Sequence, residues 1–374
     1  MPQKTKKRDE LKVLFFITGI GYGDSTREHS NIVAFKKKYP KSKILIACYD
    51  NSYDYFKDKY PTIKIKGYKL TGDSLKINWS KFALQNLLLP TYWTIGALKV
   101  RLQEFKFNPD LIITDFEPAG ISLSRLLNKK CISVFGFDPI LYEKYKKENK
   151  TSIKEKVQAF YYKNIYHQAD MAIIPTLIDK RQQHLEYTYI NPSIRITPEE
   201  LDDEKTLMQE LKLKKKPILI MLGGSNFGKL LTNHLTHLAD KFKEEFIIFG
   251  GDLNQKFPKN IKYIRYTPEF LKYLKVCKGI ITLGGQKTLA EALIYKKPIL
   301  SFPIKEHIEQ QLNAYSIKDL IIVSHKHTRK DFETTLKEFI KEMPSLQNKV
   351  NNYELKTNGA QQMLKIIQIA LEKI

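Results

Sequence analysis

Two glycines, a hydroxyl and a carboxylate open the most informative segment of the chain, GGQKTLAEALIYKKP at 284–298. The segment follows an apolar run and takes up helical periodicity through Leu289, Ala292 and Leu293, so Gly284 and Gly285 stand at a strand-to-helix turn. Glycines there let backbone amides approach a ligand, and the unpaired N–H groups and dipole of the helix start favour an anion such as a diphosphate. Thr288 can donate its hydroxyl to a phosphate, and Glu291, on the same helical face, can accept from both hydroxyls of a ribose. The same Thr–Glu spacing also writes a capping box that serves the helix end alone. A second polar group, IEQQLNA, lies beyond the strand end FPIKEH and supplies Glu309, Gln310 and Asn313. Side chains beyond the carboxyl end of a parallel strand face the ligand crevice of an open sheet, and a carboxylate beside an amide suits a sugar. Taken alone, an EQQ run fits a solvated helix face equally well.

In the first half, FFITGIGYGDSTREHS places Gly19, Gly21 and Gly23 at another strand-to-helix turn. A G-x-G-x-G by itself is a weak dinucleotide signal, and its acidic partner is present only ambiguously, as Asp50. Asp24 follows the last glycine, where a carboxylate can serve as a general base or as a helix N-cap. His29, one helical turn on, is the reserve base, or a structural histidine. In LIITDFEPAG, Asp115 and Glu117 lie beyond a strand end and should border the crevice, Asp115 as second choice for the base or as an orienter of the attacking hydroxyl. Paired carboxylates also suit glycoside hydrolysis, which leaves the motifs of the second half unexplained. The turn GGSNFGK has Walker A spacing at Gly223, Gly228 and Lys229, but Leu230 stands where Ser or Thr should hold magnesium, which argues against an NTPase loop.

Taken in order, Gly284, Gly285, Thr288, Glu291, Lys297, Pro298, Gln310, Asn313 and Ala314 resemble the donor site of the GT-B glycosyltransferases. The likeness is greatest to glycosyltransferase family 28, which includes the N-acetylglucosaminyltransferase that forms lipid II. The resemblance implies a UDP-sugar as co-substrate with no separate cofactor, Glu291 on the ribose, Thr288 near the phosphates, and Glu309 and Gln310 on the hexose. It also implies that Gly224 and Ser225 close on the donor, and that IRYTPEFLKYL at 264–274 reads the base through backbone groups. Glu309 stands where lipid II-forming members have Gln, so the sugar stays open. The first-half loop is similar to an archaeal and bacterial group with a G-x-G-x-G-H-x-T-R signature, with Ser25, Thr26 and Arg27 in step and Asp24 in place of His. This likeness implies that the loop and Glu117 face the acceptor, with Arg27 able to hold an acceptor phosphate.

The elements that must carry these loops are legible as short apolar runs alternating with longer mixed segments, the mark of βαβ units. Strands are expected at 13–18, 43–48, 63–67, 111–114, 131–134 and 171–174, and again at 217–222, 246–249, 261–263, 279–282, 298–301 and 321–323. The fold class is therefore α/β, with two Rossmann-like, doubly wound parallel sheets facing a cleft. A chain of 374 residues is long for one core, and the Pro-bearing stretch 187–204 reads as an interdomain linker. The expected division is 1–190 for the acceptor, 191–345 for the donor, and a last helical segment, 346–374, that the resemblance implies packs back on the first domain.

The formal net charge of +23 admits a polyanionic partner, yet the lysines are scattered. Compositional bias and attraction to an anionic membrane are equally good readings, and nucleic acid ranks below both. Residues 79–105, from Trp79 through Leu87, Leu88, Leu89, Tyr92 and Trp93 to Phe105, lie beside Lys81, Lys99 and Arg101. They suit either a helix dipping into anionic lipid or a buried helix pair. No run of about 18 apolar residues occurs, and the first apolar run is too short for a signal-peptide core. The expected location is cytoplasmic, peripheral on the inner face of the membrane. Cys48, Cys131 and Cys277 read as reduced core residues, and without an Asp-x-Asp no metal site is expected. The reading that follows is transfer of a hexose or N-acetylhexosamine from a UDP-sugar to a lipid-linked or other anionic acceptor. A UDP-sugar 2-epimerase, or a non-catalytic carbohydrate- or nucleic-acid-binding protein, is the alternative.

Overall fold

The computed structural model describes residues 10–103, 105–178, 186–221, 226–251 and 253–372. The first half holds β1 (Lys12–Ile17), β2 (Lys43–Cys48), β3 (Thr62–Lys64), a small hairpin of β4 (Gly72–Asp73) and β5 (Lys76–Ile77), β6 (Leu111–Asp115), β7 (Lys130–Val134), β8 (Met171–Pro175) and β9 (Thr188–Ile190). The second half holds β10 (Ile218–Met221), β11 (Phe246–Phe249), β12 (Ile261–Ile264), β13 (Gly279–Thr282), β14 (Ile299–Ser301) and β15 (Ile322–Val323). Two parallel sheets result, ordered β3-β2-β1-β6-β7-β8-β9 and β12-β11-β10-β13-β14-β15.

Runs such as KVLFFI and LIITD are almost continuously buried because helices cover both faces of each sheet. Leu14, Phe16 and Ile112 pack on one side of the first sheet, and Val13, Phe15, Ile17 and Ile113 on the other. The helix Gly359–Glu372 adds Met363, Ile366, Ile367 and Ala370 to that second layer, so the end of the described chain lies on the first sheet. It does so after a break. The helix Arg329–Asn351 ends before 352–358, so the segment from 346 onward is not one continuous helix. A side chain at Gly359 would meet the Asn191 carbonyl at 2.0 Å, and glycine is what lets this last helix start against the interdomain stretch.

Two elements depart from expectation. Thr188–Ile190 pairs in parallel with β8 inside the stretch read as linker, because Tyr187 and Ile190 are buried at the sheet edge. The β4–β5 hairpin crosses to the other half. Leu75 and Ile77 are buried among residues of the second sheet, Leu75 donates its N–H to the Phe227 carbonyl at 3.2 Å, and Lys305 N–H donates to the Leu75 carbonyl at 2.8 Å.

In each sheet the strand order reverses at one point, between β1 and β6 and between β10 and β13. Ligands of such sheets bind outside the carboxyl ends of the strands at that reversal. The loops that follow β1, β6 and β13, together with the helices they lead into, hold most of the candidate residues, and the loops after β1 and β13 meet in one cleft.

Candidate active site

Gly21 and Gly284 have φ of +78° and +88°, a conformation that glycine adopts without strain and that turns each chain from strand into helix. The helices that follow, Gly23–Lys38 and Gln286–Ile294, start face to face; a Cβ on Gly23 would lie 3.5 Å from that of Lys287. Two pockets flank this meeting point and share Tyr22, Gly23, Met221, Lys287 and Thr288.

The first pocket is aromatic and cationic, with Tyr22, Tyr55, Phe249, Tyr266 and Phe270 beside Arg195, Arg265 and Lys287. Tyr22 and Tyr266 approach across the cleft with ring centroids 5.5 Å apart. Glu291 reaches in from the helix Gln286–Ile294, 3.3 Å from Lys287 Nζ, which also donates to the Ser193 carbonyl at 2.5 Å. Glu291 Oε1 and Arg195 Nε are buried and have no hydrogen-bond partner among the described residues. The N-cap of this helix is Gly285, and Thr288 and Glu291 lie inside the helix, so they do not form the capping box that their spacing also allows. A buried carboxylate and a half-buried arginine that line one pocket with the start of a helix suit a ribose diol and a diphosphate.

The second pocket sets two carboxylates, Asp24 and Glu309, beside two cations, Arg27 and Lys287. Gly21, Asp24 and Arg27 line it from one side, and Gly285, Thr288, His307, Glu309 and Gln310 from the other. Arg27 binds Asp115 through two bonds, Nε to Oδ2 at 2.9 Å and Nη2 to Oδ1 at 2.6 Å. Its Nη2 also donates to Asp24 Oδ1 at 2.5 Å, and its Nη1 to Gln286 Oε1 at 3.1 Å. Burial, against the pull of Arg27 and with the push of Asp115, lifts Asp24 to about 7. Burial and the nearby Asp24, against Arg27, lift Glu309 to about 7 as well. Burial keeps His307 neutral, at about 4, and its Nδ1 is without a partner among the described residues. A carboxylate with a pKa near neutrality can take a proton from an attacking hydroxyl.

The candidate residues separate accordingly. Asp24 keeps 20% of its side chain exposed, whereas Asp115 has none exposed and both its oxygens bind Arg27, so Asp115 supports the guanidinium and is not open to an acceptor. His29 turns away to Tyr55, Nδ1 2.8 Å from the hydroxyl, with its ring edge-on to Phe56 and Tyr60, and it lines neither pocket. Glu117 is wholly buried, its Oε2 without a partner among the described residues, and burial lifts it to about 8. It does not border the cleft as its strand-end position suggests. The N-cap of the first helix is Tyr22, so Asp24 is not a cap. Arg27 lines the second pocket while its Nε and Nη2 bind the two carboxylates and its Nη1 binds Gln286. Ser25 faces inward to Ser52 at 2.6 Å, while Thr26 bonds the Gly23 carbonyl at 3.0 Å and lines the aromatic pocket. Gly19 approaches the Tyr49 backbone and lines a neighbouring polar recess with Lys69 and Lys81. Asn313 donates to the Gly284 carbonyl at 3.3 Å and braces the glycine loop from behind, and Gln310 accepts from Ile304 N–H at 3.1 Å. Gly224 and Ser225 lie outside the described residues. Arg195, Gln286, Lys287, Tyr22 and His307 escaped the sequence reading. Arg195 sits in the Pro-bearing stretch taken for a linker, and a cation between two sheet halves is the signal that could have found it.

The three cysteines are free and buried. Among the described residues no helix is long and apolar enough to cross a membrane.

Comparison with known proteins gives the family and the fold. The profile of glycosyl transferase family 1 matches residues 11–344. An uncharacterized glycosyltransferase of Methanosarcina mazei is 26% identical over 345 residues, covering 83% of this chain and 84% of the relative. The UDP-N-acetylglucosamine–N-acetylmuramyl-(pentapeptide) pyrophosphoryl-undecaprenol N-acetylglucosamine transferase of Thermosipho melanesiensis is 33% identical over 95 residues, 25% of this chain and 28% of that enzyme. Among solved structures, UGT89C1 of Arabidopsis thaliana complexed with UDP superposes with a TM-score of 0.65 at 11% identity, covering 97% of this chain and all (100%) of that one. MurG of Acinetobacter baumannii gives 0.57 at 12% identity, covering 96% and 99%. The two facing parallel sheets are those of the GT-B glycosyltransferases, and the chain belongs to glycosyl transferase family 1.

Proposed function

We propose that this glycosyltransferase moves a hexose or N-acetylhexosamine from a UDP-sugar to a lipid-linked or other anionic acceptor, with a donor site like that of family 28. The observation that carries the reading is Glu291 Oε1, buried at the nucleotide pocket with no hydrogen-bond partner among the described residues. The oxygen is ion-paired with Lys287 Nζ at 3.3 Å but accepts no hydrogen bond, and a bound ribose diol would give it one, a bond to a charged group worth about 1.5–3 kcal/mol. UDP fits the pocket with its base against Tyr266 and Phe270, its ribose on Glu291, and its phosphates at the start of the helix Gln286–Ile294 beside Arg195 and Lys287. The hexose then lies in the second pocket with Glu309, Gln310 and His307. The acceptor hydroxyl attacks the anomeric carbon, its proton passes to Asp24, and the bond from that carbon to the β-phosphate oxygen breaks. The cations and helix amides take up the charge of departing UDP, the neutralisation a metal supplies in other transferases, so we assign the reaction no metal.

A lipid-linked acceptor is supported by the helices Trp79–Asn86 and Leu89–Gln103 and the turn between them, which together expose Leu84, Leu87, Leu88, Ile95, Leu98 and Leu102, with Phe105 just beyond. Trp79 and Trp93 turn inward, to Glu306 and Tyr161. The leucines make the lipid-facing surface, and cosedimentation with anionic vesicles tests it. The donor is tested by thermal shift. UDP at about 100 times its Kd should stabilise the protein by roughly 2.7 kcal/mol, more than ADP, GDP or NAD; equal stabilisation by NAD overturns the donor assignment.

A further inference from the structure

The proton transfer proposed for Asp24 depends on a guanidinium held from both halves of the molecule. On its own side, Arg27 is gripped by Asp115 and Asp24, with the buried Glu28 behind them held by Asn31 at 3.1 Å. Its remaining contact crosses the cleft to Gln286 Oε1, 259 positions away in the chain. The same amide donates through Nε2 to the carbonyl of Pro175, the last residue of β8, at 2.6 Å. Gln286 is the first residue of the helix that carries Thr288 and Glu291, yet both ends of its amide are held by the first half. The amide fits one way round: reversed, it would set an NH₂ against the guanidinium and an oxygen against the carbonyl. It does no capping work, since Gly285 is the N-cap and the side chain is turned across the cleft.

We propose that Gln286 is a positioning residue for sugar transfer, tying the donor-binding helix to Arg27 so that Asp24 is organised only when the two halves are closed on each other. The inference rests on Asp24 acting as the base. Asp24 is faced by Arg27, Asp115, Glu28 and Tyr68 from its own half and by Glu309 from the other, so a displaced guanidinium changes both its charge balance and its hydration. A binding residue would act on donor affinity; a residue that aligns the base acts on the chemical step.

The test is UDP release from UDP-glucose and UDP-N-acetylglucosamine, with water as acceptor, by the full chain as wild type, Gln286→Leu, Asp24→Asn and the double variant. Gln286→Met replaces Gln286→Leu if the melting temperature shows that the latter does not fold. Gln286→Leu should lower kcat by on the order of 10-fold to 100-fold with KM changed less than about twofold. The acidic limb of its kcat–pH profile should move toward the ordinary carboxylate range, because a loosened interface hydrates Asp24. In the Asp24→Asn background the same substitution should cost nothing further. A rise in KM at constant kcat, or an equal loss in both backgrounds, overturns the coupling. Full turnover by Asp24→Asn removes the base reading itself, whereas an inactive Asp24→Asn beside a fully active Gln286→Leu removes the coupling alone. No UDP release by wild type from either donor removes both.

Discussion

The two walls of the cleft solve opposite problems. The donor wall, at the start of the helix Gln286–Ile294, keeps polar atoms open: Glu291 Oε1, ion-paired with Lys287, and Arg195 Nε are buried without a hydrogen-bond partner among the described residues. The facing wall, at the start of the helix Gly23–Lys38, closes its charges on one another, with Arg27 shared by Asp115, Asp24 and Gln286. An open set of donors and acceptors gains by being completed and therefore binds. A closed, buried set with more carboxylates than cations holds one carboxyl near neutral pKa and is therefore suited to moving a proton.

The largest effect should come from removing the base. Asp24→Asn keeps size and polarity but loses basicity, and should slow transfer by about 10² to 10⁴ while UDP-sugar affinity holds, as single-turnover rates and calorimetry will read; the reverse pattern would make both walls binding walls. Next is Arg27→Met. Stripping the cation from buried Asp115 should cost about 3 to 5 kcal/mol of stability by urea denaturation, and an unchanged midpoint would mean that the network does not hold the wall. Glu291→Ala should leave the fold intact and weaken UDP by about 1.5 to 3 kcal/mol, the range for hydrogen bonds to charged groups. A fall in melting temperature without loss of affinity would place Glu291 with the closed wall.

The smallest effect concerns pH. Glu117, Asp24 and Glu309 have folded-state pKa values raised to about 8, 7 and 7. Their contribution is fully present below the ordinary carboxylate pKa and is lost as pH rises through the folded values, so stability should decline between about pH 4 and 8. Glu117→Gln should remove part of that slope and raise Tm at pH 8 by roughly 2 to 4 °C; an unaltered slope would show that burial is not charging these sites a penalty.

The glycine loops and the strands that bear them were legible because each signal is local. A buried parallel strand needs an unbroken apolar run, and a tight strand-to-helix turn needs glycine at positive φ, as at Gly21 and Gly284. The pairing of Thr288 with Glu291 could be read as cap or as ligand-binding group, and only the position of Gly285 at the N-cap separated the two. The strand Thr188–Ile190 was hidden because three residues carry too little periodicity to stand apart from a linker.

By itself, then, the amino-acid sequence determined the α/β class, the two-sheet plan and the loops where chemistry had to occur. It named Asp24 first, Asp115 second and His29 in reserve as the base, with Glu117 beside them at the crevice, but it could not show which of them the cleft exposes, because protonation depends on burial and on partners far away in the chain. Tertiary structure decided that by sinking Asp115 and Glu117 completely, turning His29 toward Tyr55, and leaving part of Asp24 in the cleft. It also brought Arg195 and Gln286 to the site, the latter across 259 positions. Strand and turn propensities are written in neighbouring residues, whereas the energy of a buried charge is set by whatever the fold brings against it.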